Sequence, residues 1–190
     1  MTAPVLDDAA PDDAVAREAR FRAFVVEHRE RAVSMAWRML GGDRAMAEDV
    51  AQDAFVRAYR ALPQFREDAR LSTWFFRILV RQVQNRRRWL AVRRRWRALF
   101  AHEAPADEVA PADPDVGLQR RIGAAMERLS PGQREVFVLV HFEGLTVTEA
   151  AAVLGRAPGT LKSHLHRALV SLRADLADLR PGAGGERDEA

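Results

Sequence analysis

Arginine is the residue of this chain with the most chemistry to offer. Between Arg77 and Arg97 stand nine arginines and no acidic residue. Arg77, Arg81, Gln84, Asn85 and Arg88 recur at helical steps, so a helix there presents them as one stripe of donors. A guanidinium can meet phosphate oxygens through two parallel hydrogen bonds, and Asn and Gln can add bonds to base edges. A run of like charge repels itself until a polyanion neutralises it. The stripe therefore points to nucleic acid rather than to a solvated basic helix or arm. A second polar and basic set is Thr160, Lys162, Ser163, His164 and Arg167. Such residues at the start of an exposed helix suit a major groove.

A third set is acidic. Asp49, Gln52, Asp53, Arg57 and Arg60 fall three and four residues apart along one side of a helix. It is either a solvated face with helical ion pairs or a docking face for a partner that is basic at the contact. Other chemistry finds little support. His164 and His166 are two apart on a helix, do not share a face and have no Cys or acidic neighbour, so no metal site is expected. The chain has no Cys, which removes disulfides and thiolate chemistry. No nucleophile–base pair or paired carboxylates emerge, so neither catalysis nor a cofactor is expected.

The elements that must position these residues are helices. Few β-branched runs and no useful strand-like alternation indicate an all-α fold. Thr146 to Arg173 predicts two short helices and a tight turn. Thr146 with Glu149 fits a capping box, Gly155 a helix stop, and Pro158 the first turn of the next helix. Leu161, Leu165, Ala168 and Leu172 then make one buried stripe. Upstream, helices are expected over Ala14–Leu40, ended by Gly41–Gly42, and from Asp43, as cap, to Leu62. Phe21, Phe24, Val33, Ala36, Trp37 and Leu40 give the first its apolar spacing. Another should start at Ser72 as N-cap, with Trp74 in the core. Ser130-Pro131-Gly132-Gln133 restarts a helix that runs to Gly144.

At 190 residues with 48% hydrophobic content, two small domains are affordable. The expected organisation is a disordered acidic tail over 1–13 and a first domain over 14–100. A flexible Pro-rich acidic linker over 101–115, a second domain over 116–178 ending in the helix-turn-helix, and a disordered tail over 179–190 follow. The formal charge of +3 understates the basicity, because the charges are segregated, and Lys162 is the only Lys. No apolar run is long enough for a membrane span and the start does not read as a signal peptide, so a cytoplasmic protein is expected.

These pieces, in this order, resemble the extracytoplasmic-function (ECF) sigma factors of bacterial RNA polymerase. AEDVAQDAFVRAYRAL is similar to the family's core-polymerase-binding helix, and FREDARLSTWFFRILVRQVQN to its promoter-melting loop and helix. LSPGQREVFVLVHFEGLTVTEAAAVLG followed by GTLKSHLHRAL is similar to its −35-binding domain. The resemblance makes 14–100 the sigma region 2 domain and 116–178 the region 4 domain. It implies that Asp49, Gln52 and Asp53, on the face with Arg57, contact the clamp helices of the β′ subunit. It implies that the loop Arg66, Glu67, Asp68, Arg70 and Leu71 holds a flipped base of the −10 element, and that Arg77, Arg81, Gln84, Asn85 and Arg88 hold the strand. Thr160, Lys162, Ser163, His164 and Arg167 then fall in the −35 major groove. The implied partners are core RNA polymerase (β and β′ subunits), promoter DNA and an anti-sigma factor. The chain departs from the family at Arg81, where Asn is common, at His164, where Arg is usual, and at Leu169, where a second Arg often follows the Ala. The rival reading is a stand-alone helix-turn-helix regulator of duplex DNA; it has no use for the Asp49 face or the Arg77 stripe.

Overall fold

The fold is given by a computed structural model, which describes residues 11–65, 70–100 and 114–177. Residues 1–10 of the expected first tail, 101–113 of the expected linker and the expected tail over 179–190 lie outside the described residues. Every described element is helical. In chain order they are α1 (Pro11–Leu40), α2 (Arg44–Ala61), a 3-10 turn (Leu62–Gln64), α3 (Leu71–Phe100) and α4 (Pro114–Arg128). There follow α5 (Pro131–Phe137), a π turn (Val138–Phe142), α6 (Val147–Leu154) and α7 (Pro158–Asp175).

The first half is a three-helix unit in which α2 packs on both α1 and α3. Its α2 face is nearly all Ala: Ala47, Val50, Ala51, Ala54 and Ala58 are buried. Small side chains let the helix axes approach closely, and the space between is filled by Phe24, Phe55 and Phe75. Phe55 stacks on Phe75 at 4.4 Å and Phe24 meets Phe75 edge-on at 5.4 Å. Asp43 caps α2 by accepting from the Met46 N–H at 2.9 Å. Gly41 and Gly42 both take positive φ, 82° and 94°, a turn that an L side chain resists.

The second half folds around α5 and α7, with α6 beside them. At α5, Gln133 Oε1 accepts from the Ser130 N–H at 2.9 Å. Thr146 and Glu149 close the capping box of α6, and Gly155 ends it in the left-handed region at φ 62°. Arg134 is buried, and its guanidinium donates to the Met126 and Glu127 carbonyls at 2.8 and 2.6 Å, so it satisfies the C-terminus of α4.

Several sequence expectations shift. Residues 11–13, expected in the tail, begin α1, and 114–115, expected in the linker, begin α4; Pro114 opens a helix because its missing N–H is one of the unpaired first four. Ser72 lies inside α3, which starts at Leu71, and the Trp74 N–H donates to the Arg70 carbonyl. Trp37 is not core: it is 42% exposed, and its Nε1–H donates to the Gly42 carbonyl at 2.6 Å. Trp74 is half-buried against Phe65, 5.0 Å away. The helix expected to run to Gly144 changes its bonding register at Val138, where the Glu143 N–H reaches back five residues to the Val138 carbonyl.

Candidate functional site

The acidic set is laid out as its spacing implies. Asp49, Gln52, Asp53 and Arg57 are all exposed on α2, opposite its Ala-rich buried face. With the core side fixed by Ala47, Val50, Ala54 and Ala58, period alone turns these four outward.

The α3 stripe is divided. Arg70, Arg77, Arg81, Asn85 and Arg88 are exposed, while Leu71 and Gln84 are half-buried. Arg66, Glu67 and Asp68 lie outside the described residues. Arg88 donates to Asn85 Oδ1 at 2.7 Å on the open side of the helix. Arg77, Arg81 and Gln84 instead line a cleft of ≈ 340 Å³ whose far wall is Ala152, Val153, Leu154 and Gly155. That wall is the end of α6 and its turn, so the helix-turn-helix stands across part of the stripe. On α7, Thr160, Lys162, Ser163 and Arg167 are exposed. The Ser163 hydroxyl donates to the Gly159 carbonyl at 3.2 Å. His164 differs from the other four: it is half-buried, its Nδ1 has no partner, and it faces Gly132 at the start of α5.

Two carboxylates that the sequence reading passed over sit between the halves. Glu143 is buried, and Arg31 of α1 donates to its Oε2 at 2.5 Å and to its carbonyl at 2.7 Å. Glu135 of α5 is buried; Gln84 donates to it at 3.2 Å and Arg87 at 3.5 Å, both from α3. Burial pushes the Glu135 carboxyl above its usual range, although Arg87, Arg156, Gln84 and His164 all pull it down. Burial likewise lowers Arg87, with Glu135 opposing. Glu135 had a sequence signal: a lone acid heading the apolar run VFVLV. An apolar groove of ≈ 260 Å³ also runs between the halves, lined by Trp37, Arg38, Ile122, Met126 and Phe142 among others.

The family model for sigma-70 region 2 matches residues 24–98, and that for sigma-70 region 4 matches 119–172. The chain is 30% identical to the RNA polymerase sigma factor NccH of Alcaligenes xylosoxydans xylosoxydans over 92% of its own length and 96% of that protein. This chain is an ECF sigma factor of the sigma-70 family. Its likeness to the ECF sigma factor SigW of Bacillus subtilis is 31% identity over 84% of this chain and 90% of that one. Among solved structures, the sigma factor RpoE of Bartonella quintana, crystallised with the anti-sigma factor NepR, superposes with a TM-score of 0.70 at 25% identity. That match covers 85% of this chain and 99% of the other. Region 2 of the sigma factor thus takes in most of α1 with α2 and α3, and region 4 takes in α4 to α7. The Arg31–Glu143 and Arg87–Glu135 pairs join one region to the other. No described helix is long and apolar enough to cross a membrane.

Proposed function

We propose that this sigma factor docks on core RNA polymerase through Asp49, Gln52, Asp53 and Arg57, and brings two separate DNA-binding surfaces with it. The loop from Arg66 to Leu71 and the α3 residues Arg77, Arg81, Gln84, Asn85 and Arg88 take the opened −10 strand. Extruding a base costs a few kcal/mol, which a loop pocket backed by a basic helix can offset. The α7 residues Thr160, Lys162, Ser163 and Arg167 enter the −35 groove. His164 is the weakest member of that set, because it is turned toward α5. The observation that carries this reading is the coexistence of an exposed acidic face on α2 with two basic surfaces on α3 and α7 of one chain. A stand-alone duplex-binding regulator uses only the third.

The catalytic chemistry of RNA synthesis belongs to the polymerase, and the chain works in the cytoplasm. An anti-sigma partner is part of the same reading: a solved relative is held in such a complex, and the groove at Trp37, Ile122 and Phe142 presents exposed apolar surface. The test is run-off transcription with purified core polymerase on a promoter library. Transcripts should appear only with the chain present, and Asp49→Arg with Asp53→Arg should abolish them and core binding while helicity stays unchanged. Specific duplex binding without any transcript overturns the reading in favour of a regulator.

A further inference from the structure

The helix α3 outruns the core it is built into. Its last buried side chain among the described residues is Val83, and from Arg88 to Trp96 every side chain but the half-buried Leu90 is exposed. A helix without packing is marginal in water. This one also carries six arginines from Arg86 to Arg95, with no acid among them. Arg87 is turned to Glu135, whereas Arg88, Arg93, Arg94 and Arg95 are exposed. Like charges this close repel one another until an anionic partner covers them.

An apolar stripe runs between these arginines. Trp89, Val92 and Trp96 are 49%, 52% and 59% exposed. At 3.6 residues per turn they fall within an arc of about 60°. Arg86 and Arg93 border that arc on one side, Arg88 and Arg95 on the other. An exposed apolar patch with a polar rim marks an interaction site.

Two polyanions compete for such a surface. A single strand of nucleic acid would stack its bases on the tryptophans. It brings one line of phosphates, however, and here arginines run along both borders. The Trp89 ring is also already taken, because the Arg86 and Arg93 guanidinium carbons each lie over it, 5.1 Å from its centre. Val92, between the two tryptophans, gives a base no ring to stack on. Anionic lipid fits all three observations. Tryptophan and aliphatic side chains settle at the boundary of headgroups and acyl chains, and arginines on both sides meet headgroup phosphates. No described helix is long and apolar enough to cross a membrane, so the contact is with the surface.

We propose that the end of α3, from Arg86 to Trp96, is an interfacial helix. It lays Trp89, Val92 and Trp96 on an anionic lipid surface, with Arg86, Arg88, Arg93 and Arg95 on the headgroup phosphates around them. It uses none of the residues assigned to polymerase or to the −35 groove, and shares only Arg88 with the −10 set.

The test mixes the full chain with vesicles of phosphatidylglycerol and phosphatidylcholine, and with vesicles of phosphatidylcholine alone. The chain should float with the first and not with the second, and salt should weaken the contact. Bromine on the acyl chains near the headgroups should quench the tryptophan fluorescence of the wild-type chain. Trp89→Ala with Trp96→Ala should abolish that quenching, although Trp37 and Trp74 remain. Both sites are exposed and Ala favours a helix, so the variant should fold, which circular dichroism checks. Arg93→Gln with Arg95→Gln should weaken binding to the anionic vesicles about thirtyfold, the usual effect of two basic residues at such a surface. Run-off transcription by the tryptophan variant should be unchanged. Absence of flotation with anionic vesicles, or equal flotation with neutral ones, overturns the proposal. Flotation that the tryptophan variant keeps in full reduces the contact to charge and overturns the part given to the stripe. A tryptophan variant that instead loses affinity for a single-stranded oligonucleotide, with no lipid quenching in the wild type, makes the stripe a stacking platform and overturns the lipid reading.

Discussion

Thr146 and Glu149 start α6 through three hydrogen bonds. The Thr146 N–H and hydroxyl each donate to Glu149 Oε2 at 2.8 Å, and Thr146 Oγ1 accepts from the Glu149 N–H at 3.2 Å. The two bonds received by the carboxylate hold its pKa below the usual range, the backbone one first. A lowered folded-state value gives stabilisation that is complete above the ordinary carboxylate range and is lost as pH falls through the lowered value. Thr146→Ala removes the capping hydroxyl and should cost about 1 kcal/mol at neutral pH, the usual loss for an N-cap. The gap in Tm between variant and wild type should narrow in acid without closing, because the hydroxyl still accepts from Glu149 N–H there. Thermal melts across that range check it; a gap that widens in acid refutes the assignment. This box, like Gly155 and Pro158, was legible in the sequence because it depends on residues at most four apart.

At the scale of elements, α5 and α7 meet where Gly132 faces His164. A Cβ at Gly132 would stand 2.7 Å from His164 Nδ1 and 2.8 Å from an Arg156 nitrogen. Gly132→Ala should thus lower stability by about 1–3 kcal/mol, the range for overpacking, despite the better helix propensity of Ala. Adding His164→Ala should restore most of it, a coupling that differential denaturation of the single and double variants measures. Additive losses would mean that the two elements do not meet there. The inward turn of His164 had a faint signal. It sits three residues after Leu161 and next to Leu165, on the edge of the buried stripe, but its polarity argued for solvent. The π turn had none: a five-residue bond leaves composition and spacing unchanged, and its effect is to turn Phe142 outward, at 45% exposure, and Glu143 inward. Trp37 was misplaced for a related reason. Helical period set it with the core, whereas the positive-φ turn at Gly41 and Gly42 brought the Gly42 carbonyl to its indole N–H.

For the whole molecule, what the sequence held was the order of helices and which face of each is apolar; what it did not hold was how the halves meet. The pairs Arg31–Glu143 and Arg87–Glu135 join residues far apart in the chain, and no local pattern encodes them. Their presence predicts shared cooperativity. Calorimetry should show one unfolding transition for the wild-type chain and two, the first at lower temperature, for Arg31→Ala with Arg87→Ala. Two transitions already in the wild type would mean the halves unfold independently. The exposure of the α2 face has a consequence for assembly. On the proposed reading, that face and the outward residues of α3 and α7 belong to different helices and are exposed together, so contact with polymerase leaves the residues that meet DNA available. The chain can then hold enzyme and promoter at once rather than in turn.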